Sequence, residues 1–191
     1  MLRHAILFIL ATITPTFAQP VTDYLGVPGP IVLGDTNYEL AWSSHPTAEL
    51  TKHEYVPDGQ TVEHYDRMLM LDFMSPEMEP LAVAQGMVQM LDERKATDPV
   101  VNSEIIQNDA TGEVILDFVL SAPDANGDII VEWNVYRYAK AKNPDGKAGN
   151  LLFAVSHRAY GDADAKAFLA GLETLRAEQI ALVAGATLPE L

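Results

Sequence analysis

The sequence predicts an α+β domain, a mostly antiparallel sheet with helices packed on it in the manner of an α/β/α sandwich. Segments of alternating apolar and polar residues recur at strand length, and turn signals such as "VPDG", "DANGD" and "NPDGKAG" separate them. Two other segments carry apolar residues at helical spacing instead.

The first residues, MLRHAILFILATITPTFAQP, open with Arg3, run apolar from Ala5 to Ile13 and reach the small-residue pattern Thr16-Phe17-Ala18. That is the form of a secretory signal peptide over residues 1–18, cleaved near Ala18. A membrane helix needs about 20 apolar residues, and Pro15 interrupts this run sooner. The 191-residue chain has no cysteine, so a lipid-modified cysteine cannot anchor the product. The expected product is therefore a soluble periplasmic or secreted protein with no stable membrane anchor. Residues 19–30 read as an irregular lead-in rich in proline and glycine, and residues 31–191 as one domain.

A formal charge of −15 repels phosphate backbones, which excludes nucleic acid as a partner and argues against anionic membrane surfaces.

After the lead-in, Tyr38, Leu40 and Trp42 alternate as a half-buried strand would. A second strand is expected over Leu50–Val56. "VPDG" then reads as a type I turn with Pro57 second and Gly59 fourth. A third strand over Met68–Met74 places Leu69, Leu71 and Phe73 on one face and Met68, Met70 and Met74 on the other, which implies burial of both faces. "SPEMEPLAVAQGMVQMLDERKA" is a helix beginning at Ser75 or Glu79, with Leu81, Ala84, Val88 and Leu91 on one face and Arg94 and Lys95 in the last turn. Strands follow at about 100–107, 114–121, 129–138 and 151–160. A final helix spans about 162–184, with Phe168, Leu172 and Leu175 as its stripe.

If Asn126-Gly127 is a two-residue hairpin turn, Leu120 pairs with Trp133 and Phe118 with Val135, making one face wholly apolar. The next hairpin must keep Phe153 and Val155 on that face, so its paired residues sum to about 290 or 292, and the first of these registers sets Glu132 near Arg158. The opposite face then collects Asp117, Glu132, Asn134, Tyr136 and Arg158, with Ser121, Tyr138, Ser156 and Tyr160. An aromatic and polar sheet face containing an arginine suits a small anionic ligand or a partner protein.

The stretch "HEYVPDGQTVEHYDRMLMLDFM" tests metal binding. Pro57 breaks the helix that an H-E-x-x-H site requires, and on a strand His53 and Glu54 point to opposite faces. What survives is convergence of His64 and Asp66 with His53 or His45 from separate segments, joined by Met68 or Met70 in a copper version, a donor set suited to zinc or copper. Six of the seven methionines lie between Met68 and Met90, and the expected role of these soft thioethers is to fill gaps between layers. Ser44 and His45 lack a nucleophile elbow, and there is no thiol for nucleophilic catalysis. "DANGDIIVEWNV" places Gly127 one position early for a calcium loop and Val135 where its glutamate belongs.

The segment containing Tyr55, Pro57, Gly59, Thr61 and Tyr65, followed by helix, antiparallel strands and terminal helix, resembles the PsbP-like class of α/β/α sandwiches. That resemblance implies a small binding or assembly protein, often exported in bacteria, and carries over no catalytic residue. The expected function is thus a periplasmic binding or assembly-type protein, with no cofactor, meeting a protein or envelope component through the Asp117, Glu132, Asn134, Tyr136 and Arg158 face. The alternative is a periplasmic zinc- or copper-binding protein, and a hydrolase is the third reading.

Overall fold

Eight strands form one antiparallel sheet in the order β1-β2-β3-β4-β8-β7-β6-β5. They are β1 (Ile31–Leu33), β2 (Thr36–Thr47), β3 (Leu50–Val56), β4 (Arg67–Met74), β5 (Asn102–Gln107), β6 (Val114–Pro123), β7 (Ile129–Lys142) and β8 (Ala148–Tyr160). Two helices complete the chain, α1 (Pro80–Arg94) and α2 (Gly161–Gly185). The computed structural model describes residues 21–191, so the signal-peptide expectation for residues 1–18 lies outside the described residues.

This arrangement corrects the predicted α+β, α/β/α sandwich-like class. Strand accounts for 43% of the structure, and the sheet curls as a β half-barrel. Among the described residues each face carries a single helix, α1 against β5, β6 and β7 on one side and α2 against β6, β7 and β8 on the other. The physical reason is strand length. β7 and β8 run for 14 and 13 residues, and long strands accumulate the right-handed twist that curls a sheet. Register shifts within β2 after Leu40 and Ser44 add bends at the other end.

β3 spans the predicted residues, and both helices fall within two residues of their expected positions or start at the second proposed cap. β1 was not expected, because prolines and glycines obscure the alternation there. The lead-in is nevertheless packed. Asp23 accepts hydrogen bonds from the N–H groups of Leu25 and Val27, both at 3.0 Å, and Leu25 is buried in the core. "VPDG" also differs in detail. Gln60 N–H donates to Pro57 O at 3.1 Å and Gly59 has φ 79°, so Pro57 is the first residue of a type II-like turn, with glycine at its third position.

The register of the β6–β7 hairpin is one residue away from the expected one. Asp124 N–H donates to Asp128 O at 2.7 Å, and Gly127, with φ 90°, closes a three-residue loop, so Leu120 pairs with Glu132 and Val119 with Trp133. Asp124 Oδ1 holds that loop by accepting from Asn126 N–H at 2.7 Å and Asp128 N–H at 2.9 Å. A one-residue slip exchanges faces. Asp117 and Ser121 therefore join Trp133 on the α2 side, while Phe118 and Leu120 lie with Glu132 on the α1 side. The β7–β8 register is the first of the two expected ones, with Glu132 opposite Arg158 and Val135 opposite Val155.

Two apolar layers result. Tyr55, Leu69, Leu71, Phe73, Trp133, Val135, Phe153 and Val155 pack under Phe168, Leu172 and Leu175 of α2. Leu116, Phe118, Tyr138, Leu152 and Ala154 pack under Leu81, Ala84, Val88 and Leu91 of α1. β4 is covered on both faces, and Met70, Met74 and Met87 fill the α1-side layer as the methionine pattern implies. Met78 and Met90 do not join it, being 50% and 64% exposed.

Candidate functional site

Strand alternation assembles a polar strip on the α1 side of the sheet. Lys52 and Glu54 of β3, Met70 and Asp72 of β4, Ser156 and Arg158 of β8, and Glu132, Asn134 and Tyr136 of β7 all project there. The cross-sheet row Glu54, Met70, Ala154, Tyr136 is its middle. On one side α1 lies against β5–β7, and on the other the 57–66 loop brings Tyr65 and Val62 against Val56 and Met68. Thr61 closes that loop, where its N–H donates to His64 O at 3.2 Å and its Oγ1 accepts from His64 N–H at 3.2 Å. Tyr65 is then clamped to Tyr160, whose hydroxyl donates to Tyr65 O at 2.8 Å and accepts from Tyr65 N–H at 3.1 Å.

The charged groups at one end of the strip are tightly paired. Arg158 Nε donates to Glu132 Oε2, and the guanidinium carbon stands 4.2 Å from the centre of the Tyr65 ring. Asn134 Nδ2 donates to Glu132 Oε1 at 3.0 Å, and the hydroxyls of Tyr65 and Ser156 lie 3.2 Å apart. At the other end Lys52 Nζ pairs with Asp72 Oδ2 at 3.3 Å. Three acceptors are left over. Asp72 Oδ1 and Asn134 Oδ1 are buried without a partner among the described residues, and the Glu54 carboxylate makes no hydrogen bond or ion pair there.

Burial raises the Glu54 carboxyl above its ordinary value, opposed by Lys52 and reinforced by Asp72. Asp72 is raised for the same first reason and is drawn back by Lys52. Burial also pushes the phenols of Tyr65 and Tyr136 upward, with Glu132 adding to both. At neutral pH these hydroxyls are donors and not phenolates, and Ser156 faces a phenol where a nucleophile would need a base. The chemistry available is recognition by charge, hydrogen bond and aromatic surface.

Of the predicted face, Glu132, Asn134, Tyr136 and Arg158 are together, and Asp117 is not. Asp117 sits on the opposite side of the sheet because of the hairpin slip. There its Oδ1 accepts from Trp133 Nε1 at 3.2 Å and from Arg176 Nε at 2.7 Å, and its Oδ2 accepts from Arg176 Nη2 at 2.8 Å. Arg176 also reaches Glu104 at 2.9 Å, beside a cavity of about 250 Å³ under α2. With its charge neutralised and its oxygens used, Asp117 ties α2 to the sheet.

The proposed metal trio is not brought together. His53 is fully buried on the α2 side: its Nδ1 lies 3.0 Å from the Tyr55 hydroxyl, which donates onward to Val27 O at 2.6 Å, so Nε2 accepts from Tyr24 N–H at 3.1 Å. Both ring nitrogens are thereby used, and burial lowers its pKa. His64 stacks on Tyr160 with ring centres 4.3 Å apart, and Asp66 accepts from Gln60. Among the described residues no group of three histidines or acids is placed to hold a metal ion. His45 bonds Thr51 Oγ1 at 2.8 Å, leaving Ser44 without a histidine partner.

Lys52, Glu54 and Asp72 are residues that the sequence pattern did not assign to this face, and Tyr65 entered there only through the segment that resembles PsbP-like proteins. Alternation within β3 and β4 was legible, but β4 borders β8, far along the chain, and no turn signal announces that pairing.

One protein-family model matches residues 25–188, a span that holds all eight strands and both helices. The chain belongs to that family. Every residue of the polar strip lies within the family span, as does Leu25 of the lead-in. No curated protein and no solved structure matches the chain, and the resemblance to PsbP-like proteins gains no support from the family match.

Proposed function

We propose that this family member is an exported, periplasmic or secreted binding protein of the assembly type that receives its partner, a protein or envelope component, on the α1-side strip. The observation that carries this reading is the combination of three partnerless acceptors with a half-buried row of Glu54, Met70 and Tyr136 lying between two covering elements. Buried polar groups are ordinarily satisfied by the protein or by ordered water, and two without a protein partner, Asp72 Oδ1 and Asn134 Oδ1, share this strip with the unpaired Glu54 carboxylate. Tyrosine, methionine and arginine are also the residues enriched at recognition surfaces. The raised phenols and the Arg158-paired Glu132 favour binding over catalysis.

A photo-crosslinking side chain in place of Lys52, at the rim of the strip, tests this in the exporting cell. The expected result is a discrete adduct from position 52 and none from the same group in place of Glu173, on the exposed side of α2. Adducts from position 173 alone, or equal labelling from both, count against the strip.

A further inference from the structure

The strip is asymmetric in a way that points to the chemistry of what it binds. It carries three carboxylates, Glu54, Asp72 and Glu132, against two cations, Lys52 and Arg158, and each cation is already committed to a carboxylate. Glu54 is the carboxylate in excess. The partnerless groups at both ends are acceptors: the Glu54 carboxylate and Asp72 Oδ1 on β3 and β4, and Asn134 Oδ1 beside Glu132 on β7. Asn134 is 0% and Asp72 7% exposed, so both oxygens are withdrawn from bulk solvent. Between the ends the half-buried Met70 side chain and Tyr136 ring, with Ala154 buried between them in the cross-sheet row, make an apolar stretch.

We propose that this strip binds a linear molecule carrying two alkylammonium groups, one held by Glu54 and Asp72 and the other by Glu132 beside Asn134, with its methylenes across Met70 and Tyr136. The inference rests on the strip being the binding face. An ammonium has three donors and no acceptor, which answers a set of acceptors; an anion would have to displace Glu132 from Arg158 or Asp72 from Lys52. A compact metal ion does not fit, because no three acidic or imidazole groups among the described residues converge on one point. Roughly 14 Å separates β3 from β7 at about 4.8 Å per strand, and side chains reaching inward shorten that to the length of an extended diamine or polyamine. The methylene chain finds a thioether and an aromatic face, and a ring beside a cation adds attraction. A net charge of −15 steers cations toward the protein.

Calorimetric titration of the full mature chain with putrescine, cadaverine, spermidine and butylamine tests the proposal, with a dilysine-containing peptide as the arm that separates a free polyamine from a lysine-bearing partner. Saturable binding of a diamine, spermidine or the peptide is expected, with butylamine weaker. Glu54→Gln is expected to weaken it about tenfold, the scale of one lost charge-assisted hydrogen bond. Glu173→Gln on α2 is expected to leave it unchanged. Absence of binding by all dicationic probes, or equal loss from both variants, overturns the ammonium assignment. If adducts from position 52 persist in that case, the strip remains a binding face for another chemistry; if those are absent as well, the functional reading falls with it.

Discussion

Gly149→Ala is expected to destabilise the domain by about 3 kcal/mol or more, the upper end of the overpacking range. A Cβ built on Gly149 runs into the main-chain oxygen of Met74 and into the Phe73 ring, whose Cε2 would lie 2.8 Å away. The obstacle is backbone on one side and a 3%-exposed core ring on the other, so nothing nearby can swing clear. Relief requires β4 and β8 to part next to the Asn150–Met74 pair, at the seam joining the strands before α1 to those after it. Glycine is needed at this position for close approach and not for its backbone angle. Urea unfolding of Gly149→Ala beside Gly171→Ala checks this. Gly171 lies in α2 with nothing near its Cβ position, and its replacement is expected to gain about 0.5 to 1 kcal/mol. A loss below about 1 kcal/mol for Gly149→Ala would mean the strands tolerate separation there.

The second large effect is set by pH. His157 on β8 is 8% exposed, lies 6.0 Å from the Trp133 ring, and its Nε2 has no hydrogen-bond partner among the described residues. Burial lowers its pKa from 6.5 to about 4; Gln179 of α2 and Asp66 act in the opposite direction, and Arg67 adds to the lowering. The unfolded imidazole takes a proton as pH falls through 6.5, whereas the folded one does so only near 4. The associated stability is therefore complete above 6.5 and is lost between 6.5 and 4, to a total of roughly 3 kcal/mol at 1.36 kcal/mol per unit. Glu54 and Asp72 have raised values and act with the opposite sign, gaining stability as pH falls toward their ordinary range. The informative quantity is thus the difference between chains. His157→Gln is expected to flatten the fall in unfolding free energy between pH 6.5 and 4, and parallel curves for the two proteins would show that His157 is not neutral in the fold.

Much of the α1-side strip was legible because one hairpin was. "NPDGKAG" leaves little freedom once Phe153 and Val155 must share a face with Val135, and Glu132, Asn134, Tyr136 and Arg158 follow from that constraint. "DANGD" was ambiguous for a physical reason. A two-residue turn at Asn126-Gly127 and a three-residue loop ending in Gly127 both satisfy the glycine, and Asp124 decides between them through side-chain hydrogen bonds that local pattern does not rank. That single residue of register moved Asp117 across the sheet. The fold class failed at another level, since helical periodicity reports that helices exist but not how much sheet they cover. The density of histidines, acids and methionines in residues 53–74 has an equally structural origin. β3 and β4 are each exposed to different surroundings on their two faces, so ligand-like residues are interleaved in sequence and separated in space, His53 on one side and Glu54 on the other.

The methionines that look like a metal motif also supply a direct test of where this protein binds. In a sample with carbon-13-labelled methionine methyl groups, Met70 lies in the centre of the strip and Met90 stands exposed on α1. Titration with spermidine, or with the partner recovered by crosslinking from position 52, is predicted to shift the Met70 methyl resonance first and leave that of Met90 in place. A shift at Met90 with Met70 unmoved would contradict the assignment of the α1-side strip as the binding face.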